Sequence, residues 1–130
     1  MEQQIAHITL LVNDYDEAIK FYTEKMSFIV TEDIRLSDTK RWVIIAPNAS
    51  AAFSLLLAKA TNEEQQSRVG NQTGGRVFLF LYTDDFWRDH KRMQEKGIVF
   101  VRDPSIETYG TVAVFKDLYG NLWDLIEKKK

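Results

Sequence analysis

Residues Phe115–Glu127, FKDLYGNLWDLIE, combine a strand end, a tight turn and a second strand. Tyr119–Asn121 supplies the turn, because glycine and asparagine both tolerate positive φ angles. The strand that follows, Leu122–Ile126, is apolar except for Asp124. A lone carboxylate in a buried strand costs free energy unless a partner compensates it, so Asp124 is the first candidate functional residue of the chain.

The two halves of the chain predict the same order of elements, β-α-β-β-β. Asp14 aligns with Asp85, and Ser54 aligns with Asp124 at nearly the same offset. Such internal repetition indicates two copies of one supersecondary unit. We therefore predict an α+β fold made of two βαβββ modules. The single domain covers residues 1–130, with module 1 at about 4–58, a connector at 59–75 and module 2 at about 76–127.

Three local patterns give further expectations. Residues 59–75 are first polar and then glycine-rich, without periodicity, which predicts an irregular connector between the two halves. Within it, Gly70–Gly75 is interpreted as a hinge or lid loop. Asp103 and Pro104 predict a turn or loop. Trp87 and His90 are expected on the outer or partner-facing side of the second long helix.

The composition is that of an ordinary globular protein of 130 residues with a net charge of −2. The absence of cysteine excludes disulfides, thiolate nucleophiles and cysteine-based metal sites. No basic stripe suits nucleic acid, and no apolar run is long enough to cross a bilayer, so we expect neither partner. The N-terminus lacks the features of a signal peptide, so we expect a cytoplasmic protein.

Side chains alternate across a strand, so their parity assigns them to one face of the sheet or the other. In the first strand, Leu10 and Val12 face the helices and Thr9 faces away. An open face with aromatic side chains and a few polar groups is typical of a small-molecule pocket. The repeat predicts that four equivalent positions on this face are occupied by His7, Ser54, Phe78 and Asp124. The predicted ligand-binding residues are Thr9, Trp42, Ser54, Phe78, Phe80, Tyr82 and Tyr109.

The aromatic residues of this set have two interpretations. Phe78, Phe80, Tyr82 and Trp42 form either a stacking platform for a flat ligand or ordinary packing between modules or across a dimer. The hydroxyl groups of Tyr82 and Tyr109 make these two residues the better candidates for orienting a ligand.

His7 and Asp124 are the candidate catalytic residues, and each has several interpretations. His7 is a metal ligand, a general base or hydrogen-bonding residue in the pocket, or a structural histidine. Asp124 is a ligand or a general acid/base with a perturbed pKa, or a partner such as Arg41 or His7 compensates its charge, or it is partly exposed at the mouth of the cavity. We disfavour a catalytic triad with Ser54, because no nucleophile elbow or oxyanion motif surrounds it.

The paired modules and the segment Tyr109–Leu125, YGTVAVFKDLYGNLWDL, resemble the vicinal oxygen chelate superfamily, the group of glyoxalases, bleomycin-resistance proteins and extradiol dioxygenases. The segment is similar to the family's Asp-Pro-x-Gly-Asn-x-x-Glu-Leu, with Leu118 for proline and Asp124 for glutamate. The resemblance covers nearly the whole chain. It implies a cupped mixed β-sheet with the helices on its outer face, often completed across a homodimer.

The resemblance also implies a set of metal-ligand positions. His7 and Asp124 fall on two of them, and Ser54 and Phe78 fall on the other two. Serine is a poor ligand and phenylalanine cannot ligate, whereas a catalytic metal centre usually has about three protein ligands. Two expectations stay open: one divalent metal ion held by His7 and Asp124 with water or substrate oxygens, or no cofactor.

The function that the resemblance implies is binding of a small metabolite or drug in the sheet concavity. One version of this function adds metal-assisted chemistry of the lyase, isomerase or dioxygenase type. The other is sequestration of an antibiotic or similar molecule without a metal or catalysis. Phe78 at a ligand position favours sequestration over true glyoxalase activity.

Overall fold

The computed structural model describes residues 2–130. The chain divides into two compact units, which we call the first unit (up to Val69) and the second unit (from Gly70). The first unit contains β1 (His7–Val12), α1 (Tyr15–Lys25), β2 (Ile29–Arg35), β3 (Arg41–Ala46), β4 (Ser54–Lys59) and α2 (Glu63–Arg68). The second unit contains β5 (Val77–Tyr82), α3 (Phe86–Glu95), β6 (Phe100–Glu107), β7 (Gly110–Lys116) and β8 (Leu122–Lys128).

Each unit contains one four-stranded mixed sheet, and the two sheets have the same topology. The strand orders are β1-β4-β3-β2 and β5-β8-β7-β6. In each sheet the first pair is parallel and the other two pairs are antiparallel. The predicted α+β fold with two βαβββ modules is therefore confirmed. Within residues 2–130, no helix is long and apolar enough to span a membrane.

In the first unit, α1 begins and packs as its sequence predicts. The Asp14 side chain caps the helix by accepting a hydrogen bond from the Glu17 backbone N–H at 2.8 Å. Tyr22 on the helix and Leu10 and Val12 on β1 are fully buried. The predicted parity of β1 is thus correct, with its apolar face in the core and the face of His7 and Thr9 exposed.

In the second unit, a buried carboxylate organises the turn between β7 and β8. Asp117 Oδ1 accepts the backbone N–H groups of Tyr119, Gly120 and Asn121 at 2.9–3.1 Å. Asp117 Oδ2 accepts the Asn121 side-chain amide at 3.1 Å and the indole N–H of Trp123 at 3.3 Å. The turn predicted for Tyr119–Asn121 is confirmed, and Asp117 is the residue that holds it.

Two predictions about regular structure are wrong. Asp103 and Pro104 lie within β6 and not in a loop. Proline is tolerated there because β6 is the edge strand of its sheet and its register is irregular on both sides of Arg102. Residues 59–75 also contain regular structure, since α2 lies among them and is capped by Asn62, whose side chain accepts the Gln65 backbone N–H.

The expectation for α3 is correct for Trp87 and wrong for His90. Trp87 is exposed, whereas His90 is buried between the rings of Phe86 and Phe100 at centroid distances of 5.5 and 4.3 Å. Burial lowers the pKa of His90, and the negative charge of Asp103 opposes that shift. The amphipathic pattern of α3 gave the wrong position for His90 because histidine counts as a polar residue in such a pattern, whereas here it packs as an aromatic ring.

Candidate functional site: a cavity beside the first sheet

The first unit contains a cavity of about 850 Å³ beside β1, β3 and β4. Its size falls within the range of small-molecule sites. Strands supply the floor, the β2–β3 loop supplies one side, and the start of α2 supplies another. The lining residues are Thr9, Leu11, Tyr15, Leu36, Thr39, Lys40, Arg41, Trp42, Leu56, Leu57, Ala58, Lys59, Ala60, Thr61 and Gln65.

Strand register explains why the floor of the cavity is apolar. In the parallel pair β1–β4, Thr9 lies opposite Leu56 and Leu11 lies opposite Ala58. Residues opposite each other in a sheet point to the same face, so these side chains form one surface. Trp42 on β3 adds a half-buried indole to the lining. Thr9 and Trp42 were both predicted as ligand-binding residues, and the structure places both in the cavity wall.

Arg41 lies in the wall but its charge is already compensated. Its guanidinium is 2.8 Å from an Asp16 carboxylate oxygen and 2.7 Å from an Asp33 carboxylate oxygen. It also lies over the Tyr15 ring, 5.3 Å from the ring centre. Hydrogen bonds to Asp33 and Asp16 raise the pKa of Arg41 further above its usual range. Arg41 therefore connects β2, β3 and α1, and its two carboxylate partners weaken its attraction for an anionic ligand.

The β2–β3 loop and α2 contribute residues that the sequence analysis missed. Leu36, Thr39 and Lys40 come from the loop, and Gln65 comes from α2. Strand parity could not identify them, because they lie outside the strands. A capping signal was present, since Asn62 precedes Gln65 by three residues, but this segment was interpreted as irregular.

His7 and Ser54 form a close pair at neighbouring positions of β1 and β4. The His7 Nδ1 and Ser54 Oγ atoms are 2.6 Å apart, and Ser54 Oγ is also 3.3 Å from the Ala6 carbonyl oxygen. The rings of His7 and Trp42 are nearly perpendicular, with their centroids 6.2 Å apart. Serine has one hydroxyl proton. When that proton goes to the Ala6 carbonyl, His7 donates through Nδ1–H and keeps a lone pair on Nε2.

Asp124 lies in the second unit, in the sheet formed by β5, β8, β7 and β6. It is half-buried on β8, opposite Phe80 in the parallel pair and Val114 in the antiparallel pair. Burial raises the pKa of Asp124, and the positive charge of Arg102 opposes that shift. Arg41, which was considered as its partner, is paired within the first unit with Asp16 and Asp33.

The strand register contradicts the prediction that Phe78 is equivalent to His7. His7 lies opposite Ser54, whereas Phe80, and not Phe78, lies opposite Asp124. The Phe78 ring instead packs edge-on against buried Trp123 at 6.4 Å. The register of this strand pair also shifts by one residue between Val77 and Leu79, and such an irregularity cannot be read from sequence alternation.

The remaining predicted ligand-binding residues also lie in the second unit. Phe80, Tyr82 and Tyr109 are each about 60% exposed. The Lys128 ammonium lies 5.2 Å from the centre of the Tyr82 ring. The large exposed fraction of these three aromatic rings excludes simple core packing within the second unit, and their role in ligand binding stays a prediction.

The residues present do not fit a resident metal ion. Across the described part of the chain, no three His, Asp or Glu side chains come close enough together to hold one. In the first unit, the His7 imidazole contacts the Ser54 hydroxyl and the Trp42 indole, of which the indole is not a metal ligand. In the second unit, Asp124 lies opposite two side chains without donor atoms, Phe80 and Val114.

Comparison with known proteins identifies relatives along nearly the full length of the chain. An uncharacterized protein of Shewanella frigidimarina (strain NCIMB 400) is 60% identical over 128 residues, covering 98% of this chain and 95% of the relative. The crystal structure of UcmS2 matches with a TM-score of 0.83 and 29% identity, covering 97% of this chain and 98% of that one. The crystal structure of TnmS3, an antibiotic binding protein from Streptomyces sp. CB03234, matches with a TM-score of 0.79 and 27% identity, covering 98% of both chains.

A family model agrees with these similarities and with the paired βαβββ modules. The model of the glyoxalase/bleomycin resistance protein/dioxygenase superfamily matches residues 4–125. The resemblance read from the C-terminal motif is thereby confirmed, and the chain belongs to the glyoxalase/bleomycin resistance protein/dioxygenase superfamily.

Proposed function

We propose that this protein binds a flat, largely apolar small molecule in the cavity beside β1, β3 and β4, without catalysis and without a metal ion. The observation that carries the proposal is the wall of the cavity, in which Trp42, Leu11 and Leu56 surround about 850 Å³ of space. An indole beside aliphatic side chains suits a planar ring system, because stacking and apolar burial both favour it.

Two further observations support binding over metal-assisted chemistry. The described residues bring together no cluster of metal-ligating side chains, so metal-dependent lyase or dioxygenase chemistry has no evident centre. TnmS3, which is similar over 98% of both chains, is an antibiotic binding protein. By analogy, the ligand of this protein would be an antibiotic or a metabolite with comparable rings. A homodimer and a cytoplasmic location, both expected from the sequence, remain part of the proposal.

The proposal predicts that Trp42 carries a large part of the binding energy. A panel of planar aromatic compounds is screened by thermal shift, and the Kd of each positive compound is measured by calorimetry. We expect Trp42→Ala to weaken binding about tenfold or more, because burying an aromatic ring is worth roughly 1.5–3 kcal/mol. Trp42 is only half-buried, so the variant should fold, which circular dichroism checks.

The matched control is Trp87→Ala, which removes an exposed tryptophan from α3 in the second unit. It should leave the Kd unchanged. Binding that is equally strong in wild type and in Trp42→Ala would refute the proposed site. A panel with no positive compound would count against small-molecule binding itself.

A further inference from the structure

The charged groups in the cavity wall are all positive. The lining contains Lys40, Arg41 and Lys59 and no aspartate or glutamate. The protein as a whole carries a net charge of −2, so this is a local departure from the overall charge. A concave surface of one sign attracts ligands of the opposite sign.

Two of these three cations have no partner within the described part of the chain. Asp16 and Asp33 engage Arg41, as described above. The side chains of Lys40 and Lys59 make no ion pair or hydrogen bond anywhere in residues 2–130. Lys40 directly precedes β3 and Lys59 ends β4. Because these strands are antiparallel, both lysines lie at the same end of the sheet, Lys40 with the parity of Trp42 and Lys59 with that of the opposite face.

Gln65 adds a neutral donor to the same cavity, and its orientation is fixed. Its Oε1 atom accepts the backbone N–H of Thr61 at 2.8 Å and lies 3.0 Å from the Thr61 hydroxyl oxygen. A backbone N–H can only donate, so the oxygen of the amide must point toward Thr61. The Gln65 NH₂ group points away from Thr61, and it has no acceptor among residues 2–130.

We propose that the cavity selects an aromatic ligand that carries an anionic group, a carboxylate or an equally acceptor-rich oxyanion. The rings lie against Trp42 and Leu56, the anionic group is held by Lys40 and the Gln65 amide, and Lys59 adds positive charge at the same end of the sheet. This inference rests on the proposed function, because it assigns the ligand class of the same cavity. An ammonium-bearing ligand is disfavoured, since no carboxylate lines the cavity to receive it.

The test uses three probes with one ring system: 2-naphthoate, 2-naphthamide and 2-naphthylmethylammonium. Calorimetry measures the Kd of each probe at low and at high salt. We expect naphthoate to bind about tenfold more tightly than naphthamide, since each exposed charge pair contributes a factor of about two to five. The advantage of naphthoate should shrink at high salt, because salt screens exposed charges.

Three variants locate the effect. Lys40→Gln and Lys59→Gln should each weaken naphthoate binding about threefold and leave naphthamide binding unchanged. Gln65→Glu keeps the oxygen that Thr61 needs and replaces the free donor by a negative oxygen. It should weaken naphthoate further and strengthen the ammonium probe. Lys20→Gln, an exposed lysine of α1 outside the cavity, is the control and should change nothing.

The possible results separate this inference from the proposed function. Equal binding of naphthoate and naphthamide, or tighter binding of the ammonium probe, overturns the anionic ligand class and leaves the binding cavity standing. A preference for naphthoate that persists in the Lys40→Gln/Lys59→Gln double variant also overturns the assignment. Failure of all three probes to bind at millimolar concentration counts against the proposed function as well.

Discussion

Replacing Asp117 by alanine tests whether the buried carboxylate holds the turn between β7 and β8. Asp117 is 5% exposed and accepts three backbone N–H groups and two side-chain N–H groups. Three of the five donors belong to residues that are themselves only 3% exposed: the backbone N–H and side-chain amide of Asn121 and the indole N–H of Trp123. Alanine removes their common acceptor.

The size of the effect follows from the number of donors that lose their acceptor. A buried donor left unsatisfied costs about 1–3 kcal/mol, so the Asn121 amide and the Trp123 indole together give about 3 kcal/mol or more. The three backbone N–H groups add to this loss, and the bond that Asn121 N–H makes is itself buried. For a chain of this length we expect the Tm to fall by about 10 °C. The midpoint of urea unfolding should fall by about 1 M or more.

Asp117→Asn distinguishes the roles of the two carboxylate oxygens, because it keeps one oxygen and replaces the other by an NH₂ group. One amide oxygen can still cap the three backbone N–H groups, but the NH₂ group then faces two donors. We expect a smaller loss of unfolding free energy than for alanine, about 1–2 kcal/mol. Urea unfolding is followed by far-UV circular dichroism and by tryptophan fluorescence. The control is Asp103→Ala, which removes an exposed carboxylate from β6. A loss below about 1 kcal/mol for Asp117→Ala would refute the role assigned to this carboxylate.

Two further substitutions probe the second unit. Gly70→Ala would place a Cβ atom 1.9 Å from the Tyr119 carbonyl oxygen at a φ of +74°, so we expect a loss of more than about 2 kcal/mol in urea unfolding. Gly74→Ala, at a φ of +65° with open space around it, should lose about 1 kcal/mol, and equal losses would contradict the predicted clash. His90 has a lowered pKa because it is buried, so the unfolded chain binds its proton at higher pH than the folded chain does. Wild-type stability should therefore fall as the pH drops below about 6.5, and His90→Phe should reduce this slope between pH 7.5 and 5.5; an unchanged slope would assign it to other groups.

The repeat is the part of the fold that could be predicted best from the sequence. Helix caps and strand alternation are local signals, and both modules carry them in the same order. Asp14 and Asp85 each cap the helix that the pattern placed after them. The turn at Tyr119–Asn121 was predictable from its glycine and asparagine, although Asp117, which holds the turn, was not recognised.

The errors arise where tertiary context overrides a local signal. Pro104 predicts a loop, but an edge strand with an irregular register accommodates a residue without an N–H group. His90 predicts a solvent-facing helix position, but Phe86 and Phe100 enclose its ring. Neither result could follow from the neighbouring sequence, because the residues that decide it are distant in the chain or depend on sheet position.

The candidate site was only partly predictable for the same reason. Thr9 and Trp42 lie on strands, where alternation assigns a face, and both line the cavity. Lys40 and Gln65 come from a loop and a short helix, where alternation gives no information. The pairing of His7 with Ser54 follows from a parallel register between β1 and β4, which the repeat alone did not define.

The position of α2 has a consequence for how ligand binding would change the local stability of the chain. This helix has six residues, and none of them is buried. It ends at Arg68, two residues before the second unit begins at Gly70. A helix so short and so weakly anchored opens readily by local unfolding. A ligand held by Gln65 would lower the population of the open form, so amide hydrogen exchange across 63–68 should slow on binding. Hydrogen exchange in α2, the helix just before the second unit, would thus measure occupancy of the cavity.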